Sequence, residues 1–378
     1  MSSLPPNQPP GSQPVPPPGV PPQEPVWHAG ANYPAPREGR GASFFVAIFL
    51  GLLLLVSGGL NVLLLLLSVG SFAGGGMAGE IDDTGAIYDL VTTGGESGAT
   101  NKVLRIPIKG AISEAQSPVL GATGGMVSQV RRALRYAASD KSVRGILLDI
   151  NSPGGGVTDS DEIYQMLQDF KQKHPQIKVA ALLGDMAASG GYYIAVAAEW
   201  IVARRSTITG SIGVIMSAWN FAKLANEHGV TEVAIKSKYT PYKDMLSPMR
   251  DMTPEERNIL TSIVEELYQQ FVTVVADGRQ GLSRERVQEL ANGAIYSAKQ
   301  AREDGLVDEI GDMDSIEQWF GQRYDELKYV EYRRRASFRE LLFGMQARTP
   351  ETDPLSALGR VLTASTGPRF LYYWQGAR

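Results

Sequence analysis

Ser189 lies between two alanines and two glycines in GDMAASGGYYIA (184–195), where an apolar run gives way to a helical pattern. A hydroxyl so placed has two possible uses. As a helix N-cap it would bond to its own helix, worth about 1 kcal/mol. As a nucleophile on a tight strand-to-helix turn it would need a base and a place for an oxyanion. The lipase-type G-x-S-x-G elbow is absent, since the local order is Met186-Ala187-Ala188-Ser189-Gly190-Gly191.

The choice of base is narrow. The chain has no cysteine, which excludes disulfides, thiolate metal sites and cysteine nucleophiles. Its three histidines, His28, His174 and His228, are too scattered for a metal site or a triad. His28 falls in a proline-rich tail, His174 in a polar connection, and His228 before Gly229 at a helix end. No metal and no cofactor is expected. A lysine can serve instead, in a Ser-Lys arrangement. Its ordinary pKa of about 10.4 must then fall by about 3 units through desolvation, with no carboxylate nearby. IKSKYTPYKDMLSPM (235–249) offers Lys236, Lys238 and Lys243, and spacing does not choose among them.

Two further stretches put glycine where a strand meets a turn. LLDINSPGGGV (147–157) would let backbone N–H groups face a cleft without Cβ obstruction, ready for a phosphate or an oxyanion. TITGSIGVI (207–215) is the other.

These motifs need a scaffold, and the surrounding pattern supplies one. Apolar runs at 103–108, 145–150, 178–183, 200–204 and 231–235 alternate with amphipathic stretches at 124–138, 157–173, 189–199, 218–228 and 254–279. Shorter helices are predicted at 283–292 and 297–304, and a strand at 306–310. Such alternation predicts an α/β fold with a mainly parallel sheet covered by helices on both faces. With 378 residues, 43% of them hydrophobic, the chain can bury a sizeable core. Its net charge of −4 gives no electrostatic case for nucleic-acid binding.

The ends read differently. Residues 1–43 form a proline-rich tail, with 13 of the 23 prolines before position 41. Residues 44–69 read as a transmembrane helix, because the 24 residues from Phe44 to Leu67 carry no charge. A cleavable signal peptide would have a shorter apolar run nearer the start. Arg37 and Arg40 precede the span while Glu80, Asp82 and Asp83 follow it, which predicts an inner or cell membrane protein, N-terminus cytoplasmic and folded domain outside. Residues 70–101 read as a Gly-rich linker, 102–325 as the catalytic domain, and 326–378 as a basic and aromatic tail.

INSPGGG, GDMAASGGYYIA, TITGSIGVIM and YKDMLSPMRDMTPEE, in this order, resemble signal peptide peptidase A in its short, single-unit form. The resemblance implies the crotonase-like fold shared with Clp protease, and a serine endopeptidase that uses a Ser-Lys dyad. Carried over by motif, Ser189 is the nucleophile, Lys243 the general base, Gly155 and Gly190 the oxyanion-hole donors, and Ser211 the residue that orients the amine. It further implies signal peptides and other extended apolar peptides as substrates, and a homo-octameric ring with active sites shared between subunits. Two other classes stand beside it. A crotonase-type acyl-CoA enzyme would need a carboxylate in the cleft, with Asp159 and Asp161 nearest. A non-catalytic membrane scaffold would need none of these residues.

Overall fold

A computed structural model describes residues 42–73, 80–81, 87–96, 98–114, 125–334 and 370–373. Two compact units divide at Gly76. The first contributes α1 (Ala42–Ala73), a 32-residue helix. Within it, Phe44–Leu64 is apolar and long enough to cross a membrane, and none of it is buried in the protein. The proline-rich stretch falls outside the described residues.

The second unit is a mixed α/β domain. Its first half runs β1 (Glu80–Ile81), β2 (Ile87–Gly95), β3 (Asn101–Lys109), α2 (Met126–Ser139), β4 (Val143–Ser152), β5 (Gly154–Gly156), α3 (Val157–Lys173), β6 (Lys178–Ala188), α4 (Gly190–Ala195), β7 (Trp200–Ala203) and β8 (Ile208–Gly210). Then come β9 (Ile215–Met216), α5 (Ala222–Glu227), α6 (Pro254–Gly278), α7 (Arg284–Leu290), β10 (Ile295–Ser297), α8 (Ala298–Glu303), β11 (Glu309–Ile310), α9 (Met313–Gly321), β12 (Leu327–Arg334) and β13 (Phe370–Tyr373).

The main sheet runs β1-β2-β12-β3-β4-β6-β7-β11, with β8 and β10 branching from β6. From β12 to β11 the pairings are parallel, as the alternation predicts. Side chains alternate across it. Ile146, Leu148 and Ile150 of β4 join a core with α2, α3, α4 and α6, whereas Leu147 faces Val103, Leu182, Val202 and the α9 residues Ile316, Trp319 and Phe320. A strand buried on both faces must be apolar at nearly every position, and GILLDI is.

Three local outcomes depart from the sequence pattern. Residues 87–95 and 327–334, in ranges read as linker and tail, form β2 and β12; these pair antiparallel, and β12 also pairs parallel to β3. IYDLV and KYVEY supply the β-branched and aromatic residues that such pairing favours. The expected strand at 231–235 has no regular structure, with Val233 81% and Ile235 95% exposed. A strand-like sequence needs a partner strand, and no described segment of the chain pairs with it. Helix 218–228 shortens to α5.

One feature of β6 positions the site. Ala180–Leu183 pair with β7, and then Met186–Ala188 pair with β8. The strand thus changes neighbours halfway and delivers Ser189 beyond the end of β8.

Candidate active site

Ser189 follows β6 with φ 54 and ψ −117, a conformation that costs a residue bearing a Cβ on the order of 1–3 kcal/mol. It stands at the N-cap position of α4, yet its side chain makes no capping bond. The cap reading therefore fails. The turn is held through the backbone instead: Ser189 N–H donates to the Gly210 carbonyl at 2.7 Å, and the Ser189 carbonyl accepts from Tyr193 N–H at 2.8 Å. Ser189 is 2% exposed.

The small residues around it are required by contact. A Cβ at Gly190 would overlap the Ser160 hydroxyl, and one at Gly191 would stand 2.9 Å from the Ser152 carbonyl oxygen. The helix start can press against β4 and α3 only because both positions lack a side chain.

The INSPGGG turn lies against the same helix start. Gly154, at φ 101, places its missing Cβ position 2.8 Å from the Gly190 nitrogen. Gly155 bridges to Ile112 on one side and pairs with Tyr372 on the other. Gly155 and Gly190, read from the sequence as oxyanion donors, thus sit on the two elements that meet beside Ser189. Gly154 is the contact that spacing did not single out.

Ser211 is in the same place. It follows β8 with φ 50, is 7% exposed, and donates its N–H to the Ala294 carbonyl at 2.7 Å. Ser189 and Ser211 share an open cleft of about 500 Å³ with Val214, Ile215, Val264 and Tyr268.

Lys243 is not in that cleft. It is exposed on the turn at 241–246, and its position is set by its neighbour Asp244. The Arg250 guanidinium donates to the Asp244 carboxylate at 3.0 and 3.1 Å and to the Asp244 carbonyl at 3.0 Å. Arg250 also donates to Glu256 Oε2 at 2.9 Å, and Glu256 accepts from Thr253 N–H in the capping box of α6. The arginine holds the Asp244 carboxyl well below the usual range, with help from Lys236, and holds Glu256 down to about 2 with help from the Thr253 amide. The lysine turn is therefore fastened to the start of α6. Val264, which lines the Ser189 cleft, is ten residues further along, roughly 15 Å of helix.

The other lysines are engaged. Lys236 pairs with Asp244 at 2.5 Å, and Lys238 lies over the Tyr239 ring at 4.9 Å. His174 ends α3 against Phe170, and His228 ends α5. Asp161 accepts a 2.6 Å bond from the Tyr193 hydroxyl, and Asp159 lies against Gly156, so neither carboxylate of the acyl-CoA reading lines the serine cleft.

Sequence reasoning missed one part of the site entirely. The chain's own 370–373 segment, β13, runs antiparallel between β5 and β9, pairing Tyr372 with Gly155 and Leu371 with Gly156 and Ile215. A Cβ at Gly154 would overlap the Tyr372 carbonyl oxygen, and one at Gly190 would lie 3.2 Å from it. The aromatic run FLYY was the available signal.

The chain is similar to known proteins. Residues 171–326, which carry Ser189, Ser211 and Lys243, match peptidase family S49. The chain is 44% identical over 200 residues to "Putative protease slr0021" of Synechocystis, covering 52% of this chain and 70% of that one. It is 38% identical over 218 residues to "Putative signal peptide peptidase SppA" of Enterococcus faecium, covering 57% and 62%. It is 34% identical over 236 residues to "Protease 4" of Haemophilus influenzae, covering 60% of this chain but 36% of that longer protein. Identity at this level across most of a relative's length, with the family match lying on the serine turn, shows that the chain belongs to peptidase family S49 as a member of the signal peptide peptidase A family of serine proteases.

Proposed function

We propose that the protein is a membrane-anchored serine endopeptidase in which Ser189 attacks the peptide carbonyl and Lys243 of a neighbouring copy accepts the hydroxyl proton, later delivering it to the leaving amine. The backbone N–H groups of Gly155 and Gly190 hold the oxyanion, and Ser211 orients the lysine amine. The observation that carries this reading is the uncapped, strained Ser189 beside a groove between β5 and β9 that accepts an extended strand. Peptide bonds are cleaved in extended form, and two strand edges supply the main-chain bonds that recognise it.

Sharing of the dyad between copies is supported by the exposure of Lys243 and by its turn being fastened to the start of α6, ten residues before Val264 of the serine cleft. Exposed apolar residues on the same arm, among them Trp219 at 72% and Leu224 at 55%, suit a covered interface. The number eight follows only from the resemblance. The apolar α1 supports a single-pass anchor, and Arg37 and Arg40 before it, with Glu80, Asp82 and Asp83 after it, support an N-terminus in the cytoplasm and a peptidase domain outside. Substrates released beside such an anchor are extended and apolar, remnant signal peptides among them.

The test is proteolysis of a denatured protein by the wild type, Ser189→Ala and Lys243→Ala. Either variant alone is expected to lose at least about a thousandfold in rate. Mixed and allowed to reassemble, the two inactive variants regain activity if serine and lysine come from different copies. Equal proteolysis by all three preparations removes the assignment.

A further inference from the structure

α4 is too short to set its own position. It has six residues, begins on two glycines and starts at the strained Ser189. A helix of this length is not stable alone, and glycine weakens it further. Its placement must come from neighbours, and two buried tyrosines supply it. The Tyr192 hydroxyl donates to the Leu306 carbonyl at 2.7 Å, and the Tyr193 hydroxyl donates to Asp161 Oδ1 at 2.6 Å. Successive side chains point about 100° apart around a helix, so α4 is pinned in two directions.

The second pin bears on the site. Tyr193 N–H closes the first turn of α4 on the Ser189 carbonyl, so one residue carries both the turn bond and the side-chain anchor. Asp161 belongs to α3, which begins directly after the Gly154–Gly156 strand. Gln270 of α6 donates its Nε2 to the same Tyr193 hydroxyl at 3.2 Å, and α6 walls the serine cleft through Val264 and Tyr268. A phenol hydroxyl has one proton to give; Asp161 takes it, and Gln270 fills an acceptor position. One oxygen thus joins the element after Gly155, the element after Ser189 and the wall of the cleft. Asp161 is the charged member of this joint, and a bond to a carboxylate is roughly twice as strong as one between neutral groups.

We infer that Asp161 is a positioning residue for the reaction: by holding the Tyr193 hydroxyl it keeps the Gly190 amide in place against the Gly155 amide. Asp161 does not line the serine cleft, and it acts through Tyr193. A small shift of α4 leaves the edges of β5 and β9 where they are and moves one oxyanion donor. The loss therefore falls on kcat and not on KM. The inference rests on reading Gly155 and Gly190 as the donors of the proposed peptidase.

The experiment is steady-state cleavage of an internally quenched octapeptide of alanine and leucine by the full chain. Asp161→Ala, Asp161→Asn and Tyr193→Phe are compared with wild type and Ser189→Ala. Asp161→Ala and Tyr193→Phe are each expected to lower kcat about ten- to a hundredfold, with KM within about twofold of wild type. Asp161→Asn keeps an acceptor oxygen and is expected to bring kcat back to within about threefold of wild type. On the Ser189→Ala background, Asp161→Ala is expected to speed amide hydrogen exchange across residues 189–196 at least about tenfold. Wild-type kcat in folded Asp161→Ala, a loss carried by KM, unchanged exchange, or an Asn variant as slow as the Ala one each overturns the inference and leaves the peptidase reading standing. Cleavage that survives Ser189→Ala overturns that reading, and the inference with it. Should Asp161→Ala not fold, Tyr193→Phe, which removes only the hydroxyl, decides by the same split between kcat and KM.

Discussion

Ser189 and Ser211 stand level at the ends of two parallel strands, each one residue past the paired Ala188 and Gly210, and both have left-handed φ, at 54 and 50. Adjacent parallel strands rarely need two such residues at one level. Here the strained pair turns both chains outward at the rim of one cleft, and the strain supplies a measurable signature. Ser189→Gly is expected to gain about 1 kcal/mol of stability, a few degrees in Tm, while proteolysis is lost. Ser189→Ala keeps the strained backbone and is expected to stay within about 0.5 kcal/mol of the wild type. Thermal denaturation of the three proteins checks this, and equal Tm values would contradict it.

In the proposed mechanism Ser211 positions the amine and does not itself react. Ser211→Ala is expected to lower kcat about tenfold, leaving KM and Tm nearly unchanged. A proportional rise in KM would instead place Ser211 in substrate binding.

Arg250 fixes the turn that carries Lys243, although it is seven residues away from it. Arg250→Ala is expected to cut kcat at least about tenfold with a small change in domain Tm, because the arm is exposed and the core lies elsewhere. Arg250→Lys keeps the charge but loses the fork that grips Asp244 and Glu256 together, so it is expected to restore only part of the rate. Steady-state kinetics beside calorimetry separates loss of position from loss of fold.

The same clamp has an acid limit. Arg250 lowers the Glu256 carboxyl from 4.5 to about 2, so its ion pair contributes fully above pH about 4.5 and is lost as pH falls toward 2. Pepsin is expected to leave residues 236–250 intact at pH 4.5 and to cut there at pH 2.5. In Arg250→Ala the cuts are expected at both pH values.

Gly190→Ala is expected to destabilise by about 1–3 kcal/mol, because the added methyl meets the buried Ser160 hydroxyl. Combining it with Ser160→Ala is expected to recover at least about half of that loss. Additive effects in the double mutant would place the clash elsewhere.

Much of this was legible in one dimension. GILLDI and KVAALL announced strands of a mainly parallel sheet, and the amphipathic stretch 254–279 announced α6, because each signal lies within one element. The serine turn was legible as a position but not as a geometry: an N-cap and a strained nucleophile are spelled alike, and only ψ −117 with no capping bond separates them. β2, β12 and β13 were hidden because their partners lie far away in sequence, so short polar-flanked runs look like linker or tail until the sheet supplies an edge. The 231–235 run misled for the opposite reason, having strand composition and no edge to join.

The capping box of α6 has a consequence for how the protein is handled. The Arg250 clamp holds the lysine turn at one end of a helix whose middle walls its own serine cleft, as the proposed sharing of the dyad between copies requires. Under that proposal a solitary copy is expected to be inert. Specific activity should fall steeply on dilution, and crowding in the plane of a membrane would act as the switch.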